Sequence, residues 1–189
     1  MTTPAPIDFQ PEKTRNLATI EGTLVVFADG EGALGSAAAE IDAASGGVLG
    51  RTIADPEFKA KPGTVRSLRY PAGVASKAVI LACLGNTPDR AAARKTGGAI
   101  AKALGKGAVT FCTTGAASDE LIAEMIWAVA LRLYDFRDYK TADEENGEPG
   151  GNAGDRTITI LADQPAALRK QFAPFAALAE GVFLSLIHI

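Results

Sequence analysis

Four short apolar runs constrain the fold most: Thr23–Ala28 (TLVVFA), Ala78–Leu84 (AVILACL), Ala108–Thr113 (AVTFCT) and Thr157–Leu161 (TITIL). Each has strand length, and Thr23–Ala28 is apolar at successive rather than alternate positions, the mark of a strand covered on both faces. Segments of helical length separate them, so strands and helices alternate. That alternation predicts an α/β fold, a three-layer sandwich with a mixed, mostly parallel sheet and helices on both faces. With 189 residues, 47% of them hydrophobic, the chain can bury such a core within one domain.

The intervening segments carry the matching signals. Ile7–Phe9 reads as a further strand, Ser36–Ala44 as a short helix ended by Ser45-Gly46-Gly47, and Val48–Ala54 as another turn or two of helix. Lys61-Pro62-Gly63 resets the chain for a strand at Thr64–Tyr70, which Pro71 and Gly73 close. Thr87 as cap and Pro88 at the first position start a helix that runs to about Leu104 with Ala93, Gly97, Ile100, Ala101 and Leu104 on one face. Gly97-Gly98 inside it implies close packing against a sheet or a neighbouring subunit. Ser118 caps a helix whose stripe is Leu121, Ile122, Met125, Ile126, Val129 and Leu133. Pro165 to about Leu184 forms the last helix, bent near Pro174.

Charge and composition exclude several functions. A net charge of -3 without a block of basic residues argues against a nucleic-acid partner. Cys83 and Cys112 lie within apolar runs, as buried free thiols do. The single histidine, His188, stands two residues from the C-terminal end, which leaves neither a histidine triad nor a multi-histidine zinc site. MTTPAPIDF lacks the features of a secretory leader and no apolar run reaches the roughly 18 residues of a membrane span, so the expected location is cytoplasmic, with no membrane partner.

Gly30, Gly32 and Gly35 in VVFADGEGALG spell GxGxxG between a strand and a helix, the outline of a dinucleotide-binding loop. The motif also needs an acid about 20 residues on, at the end of a second strand. Asp55 has the spacing, but GGVLGRTIAD, broken by Gly50 and carrying Arg51 and Thr52, does not read as that strand. Asp29 and Glu31 would set two carboxylates beside a pyrophosphate. The expectation is therefore a strand-to-helix turn that uses glycine's freedom at positive φ.

A broader pattern runs from about residue 5 to 185: Leu34, Ile41-Asp42, Gly47-x-Leu49, Phe58-x-x-Lys61-x-Gly63, Arg94-Lys95-Thr96-Gly97-Gly98-Ala99 and Leu133-Tyr134-x-Phe136-x-x-Tyr139-Lys140-Thr141. It resembles the N-terminal domain of the leucyl aminopeptidase (cytosol or M17 aminopeptidase) family. The resemblance implies a macro-like domain over residues 1–185 that supports a homo-hexamer and precedes a catalytic domain. That domain would hold two divalent metals, zinc or manganese, and act on peptides. Ala179-Glu180-Gly181-Val182-Phe183-Leu184-Ser185 is similar to the end of the family's domain, whereas residues 186–189 look like a non-native tail before an absent catalytic domain. No catalytic, cofactor-binding or metal residue carries over, so none is assigned.

Outside the resemblance, Tyr139-Lys140 reads as interface packing rather than an anion site. Glu144, Glu145, Glu148 and Asp155 belong to an exposed acidic, glycine-rich loop at 142–155 that matches no calcium pattern. Trp127, one position off the apolar stripe, suits either a domain contact or the core. The expected function is a noncatalytic structural and oligomerisation domain, inactive alone. The alternative is a stand-alone module holding ADP-ribose or a related nucleotide at Asp29–Gly35 and Gly85–Thr87.

Overall fold

A computed structural model describes residues 6–13, 15–133 and 156–187. Its strands are β1 (Ile7–Pro11), β2 (Thr23–Ala28), β3 (Thr64–Arg69), β4 (Ala78–Cys83), β5 (Val109–Cys112) and β6 (Ile158–Ala162). The helices are α1 (Ser36–Ala44), α2 (Val48–Ala54), α3 (Arg90–Ala103), α4 (Asp119–Leu133) and α5 (Pro165–Ile187). The strands form one sheet in the order β1-β6-β5-β2-β4-β3. All pairings are parallel except β3 with β4.

Burial follows from the apolar runs. Every residue of β2, β4 and β5 is buried, and alternate side chains go to opposite faces. Val25, Phe27, Ile80 and Phe111 pack under α3, α4 and α5, whereas Leu24, Val26, Val79 and Leu81 pack under α1 and α2. The result is the three-layer α/β arrangement expected from the alternation. Half-exposed β3 forms one edge of the sheet, and β1 the other.

Local outcomes refine the sequence reading. The helix placed after Thr87-Pro88 starts at Arg90 instead, because the Asp89 carboxylate accepts the Ala92 N–H at 2.7 Å. A carboxylate answers the helix dipole with a full charge, which the Thr87 hydroxyl lacks. A 3-10 turn at Leu17–Thr19, absent from the sequence reading, is capped by the Asn16 side chain. Helix α5 continues through Pro174 to Ile187, three residues beyond Leu184. Gly97 packs on α4, where an added Cβ would overlap the Met125 carbonyl oxygen, while Gly98 faces open space.

Candidate functional site

A cavity of about 500 Å³ lies at the C-terminal ends of β2, β4 and β5. Here the sheet order reverses: β2 leads outward to β4 on one side, and the chain then crosses to β5 on the other. Open α/β sheets bind ligands at such points. Asp29, Gly35, Asn86, Cys112, Thr114 and Ser118 are among its lining residues. The fold thus brings together the two segments, Asp29–Gly35 and Gly85–Thr87, singled out in the sequence. They meet closely, since a Cβ at Gly30 would overlap the Asn86 backbone.

The chemistry of this cavity differs from that of a phosphate cradle. Asp29 Oδ1 accepts the N–H groups of Glu31 (2.9 Å) and Ala33 (2.7 Å), and the Asp29 carbonyl accepts that of Gly32. The Gly35 N–H goes to the Phe27 carbonyl. Four amides that a pyrophosphate would use are thus engaged within the loop. Among the described residues, no lysine or arginine lines the cavity. The segment before Asp55 is helix α2, not a strand, and Asp55 accepts the Glu57 N–H in a local turn. These contacts make the glycine loop the expected strand-to-helix turn.

Thr114 of the cavity wall adjoins the half-buried Glu12 carboxyl, and Glu12 Oε2 and Thr114 Oγ1 are both buried. Burial pushes the Glu12 carboxyl above its ordinary range. Burial, with the Glu12 and Glu40 charges adding to it, pushes the Cys112 thiol up strongly. The Cys83 thiol is also raised by burial and donates to the Asp29 carbonyl at 3.0 Å. Both cysteines are free and buried as the apolar runs implied. They lie on strands with β2 between them, roughly 10 Å apart across two strand spacings and beyond disulfide reach.

A charged cluster that sequence reasoning missed sits between α3 and α4. Glu124, 1% exposed, pairs with Arg94 Nε at 2.6 Å and Arg90 Nε at 3.6 Å. Arg94 lies over Trp127 at 5.2 Å, and Trp127 meets Phe175 of α5 at 5.7 Å. Trp127 is therefore a partly buried contact within the domain core. A glutamate amid the apolar run of α4 was the available signal, since a buried charge demands a partner. This cluster is structural, with one exposed side through its arginines.

Among the described residues, no three or more His, Cys, Asp or Glu side chains converge as metal ligands. No described helix is long and apolar enough to cross a membrane. Tyr139, Lys140, Glu144, Glu145, Glu148, Asp155 and His188 lie outside the described residues, as does the loop at 142–155.

Residues 25–143 match the cytosol aminopeptidase family, N-terminal domain. A probable cytosol aminopeptidase of Cereibacter sphaeroides is 37% identical over 187 residues, covering 98% of this chain and 36% of that protein. One from Dinoroseobacter shibae is 32% identical over 186 residues, with the same two shares. A tomato leucine aminopeptidase mutant superposes with a TM-score of 0.68 at 14% identity, over 95% of this chain and 37% of that one. The bottromycin maturation enzyme BotP gives a TM-score of 0.52 at 19% identity, over 84% and 30%. These two likenesses concern the fold, and the chain spans about 36% of the length of the bacterial relatives. With the matched segment taking in β2 through α4, the chain belongs to the cytosol aminopeptidase family, as its N-terminal domain.

Proposed function

We propose that residues 1–185 form the noncatalytic, structural domain of a metal-dependent leucyl aminopeptidase that works in the cytoplasm as a homo-hexamer. Removal of N-terminal residues from peptides, and the two divalent metals, zinc or manganese, that it needs, belong to a catalytic domain outside this chain. The observation that carries this reading is the family match over residues 25–143 in a chain spanning 36% of its bacterial relative.

The test is a chimera in which residues 1–185 replace the matching part of the Cereibacter sphaeroides relative. It should keep that protein's assembly and its release of leucine from a leucyl amide. The isolated chain, supplied with zinc or manganese, should release none. Leucine release by the isolated chain, or a chimera that fails to assemble, overturns the proposal.

A second reading, a module for ADP-ribose, draws on the cavity at the switch point of the sheet. Its weakness is chemical, because the loop amides are engaged and no cation among the described residues faces the cavity. Calorimetric titration of the chain with ADP-ribose separates the two, a saturable heat favouring the module.

A further inference from the structure

Helix α5 changes character along its length. Its first two turns show solvent the polar Arg169, Lys170 and Gln171, and Arg169 pairs with Asp8 at 3.1 Å. Leu168, Phe172 and Ala179 turn inward, with Phe172 against Phe9 at 5.6 Å and Phe175 against Trp127 at 5.7 Å. From Pro174 onward the outward side is apolar as well. Pro174, Ala177, Leu178, Gly181 and Val182 are all exposed, and their spacing of i, i+3, i+4, i+7 and i+8 makes them one continuous helix face. Glu180 is the one charged residue in the sequence from 174 to 185.

A helix that is apolar all round belongs between two partners rather than at a surface. Helix α3 shows the contrast, since Arg90, Arg94, Lys95 and Lys102 occupy its exposed positions. Leu178, 57% exposed, and Val182, 42% exposed, stand one turn apart on α5, and a Cβ added at Gly181 would meet open space. The size of the face selects its occupant. At about 1.5 Å per residue and about 10 Å across, Pro174–Val182 projects roughly 150 Å², far below the roughly 800 Å² per partner of a stable free complex. A second copy meeting α5 with α5 gains too little area to associate. A partner tethered to the same chain needs less, because the tether holds it at an effective concentration on the order of millimolar. Helix α5 is the last element of this N-terminal domain, and the Cereibacter sphaeroides relative, of which the chain covers 36%, carries the larger part of its polypeptide beyond the match.

We infer that the Pro174–Val182 face of α5 docks against an apolar surface of the polypeptide that follows this domain in the full-length family protein, within the same chain. Leu178 and Val182 insert into that surface, while Ala177 and Gly181 let its atoms approach the helix closely. One side of α5 is then held by α4 and the sheet and the other by the following domain, so the helix fixes the orientation of the two parts. The inference rests on the proposed role of residues 1–185 as the structural domain of a longer protein.

Leu178→Cys tests the contact, made both in the 189-residue chain and in the chimera of residues 1–185 with the Cereibacter sphaeroides relative. The readout is the rate of modification by a thiol reagent, followed at that residue by peptide mass spectrometry. In the 189-residue chain it should react rapidly at every protein concentration, with a melting temperature within about 2–4 °C of the parent, because the position is exposed. In the chimera it should react at least about tenfold more slowly at every concentration. Val182→Cys should follow the same pattern. Equal rates in the two proteins overturn the inference, as does protection in the 189-residue chain that grows with concentration, the mark of a second copy. Assembly and leucine release by the same chimera read the proposed function separately. Protection at residue 178 supports the contact even in a chimera that fails to assemble, and free reaction there removes the contact even in one that assembles and releases leucine.

Discussion

Adjacent glycines in α3 should respond to the same substitution with opposite signs. Alanine in place of glycine inside a helix stabilises by about 1 kcal/mol through reduced backbone entropy, wherever the methyl group has room. At Gly98 nothing lies within 4 Å of an added Cβ, so Gly98→Ala should keep that gain and raise the melting temperature by about 2–4 °C. At Gly97 the Cβ would sit closer than 3.0 Å to the Met125 carbonyl oxygen and 3.0 Å from Ala128 Cβ. The obstacle is helix backbone, not a flexible tip, so α3 and α4 must part by about 1 Å, enough to forfeit up to half the dispersion energy of each contact. Overpacking of that kind costs about 1–3 kcal/mol, which outweighs the propensity gain in most of its range. Gly97→Ala should therefore lower stability by up to about 2 kcal/mol and melt up to about 8 °C below the parent. Urea unfolding of the parent and both variants reads the pair directly. A Gly97→Ala protein as stable as Gly98→Ala would refute the close approach of the two helices.

Three further outcomes follow from buried polar groups. Because the folded-state pKa of Glu12 is raised above its ordinary 4.5, the folded protein holds that proton more tightly, and this contribution to stability grows as pH falls through the raised value towards 4.5. Glu12→Gln should then be more stable than the parent at pH 7, with the gap closing near pH 4.5 in urea titrations at each pH. Cys83 and Cys112 should ignore a thiol reagent in the folded chain and both react in denaturant, since burial holds each thiol protonated. Arg94→Ala should destabilise the fold by stranding the buried Glu124 charge, though less than for a fully buried pair because Arg94 is half exposed, and Arg94→Ala with Glu124→Leu should recover most of the loss.

How much of this was legible in the sequence depended on whether the deciding contact was local. The runs at Leu24–Ala28 and Ala78–Cys83 are apolar at every position because both faces are covered, and that shows in the residues alone. The start of α3 was misplaced by two rival caps, Thr87 and Asp89, and only the bond to the Ala92 N–H chooses between them. The glycine loop was read correctly as a turn from its charges, although the reason the structure supplies is more specific: Asp29 engages the amides a phosphate would need. The burial of Glu124 does not show in the single apolar stripe of α4. In fact α4 lies between α3 and α5 over the sheet, so Glu124 and Trp127, off the Ile122–Ile126–Val129 line, are drawn inside by neighbours 30 or more residues away. A small cavity of about 150 Å³ at the opposite end of the sheet is less local still, since the β3–β4 connection, with Lys77, and the α3–β5 connection, with Gly105, line it together only through the strand order. Sheet membership is thus written in short apolar runs, whereas both cavities arise from the order in which β2, β4 and β5 are laid side by side, which residue patterns along one chain do not encode.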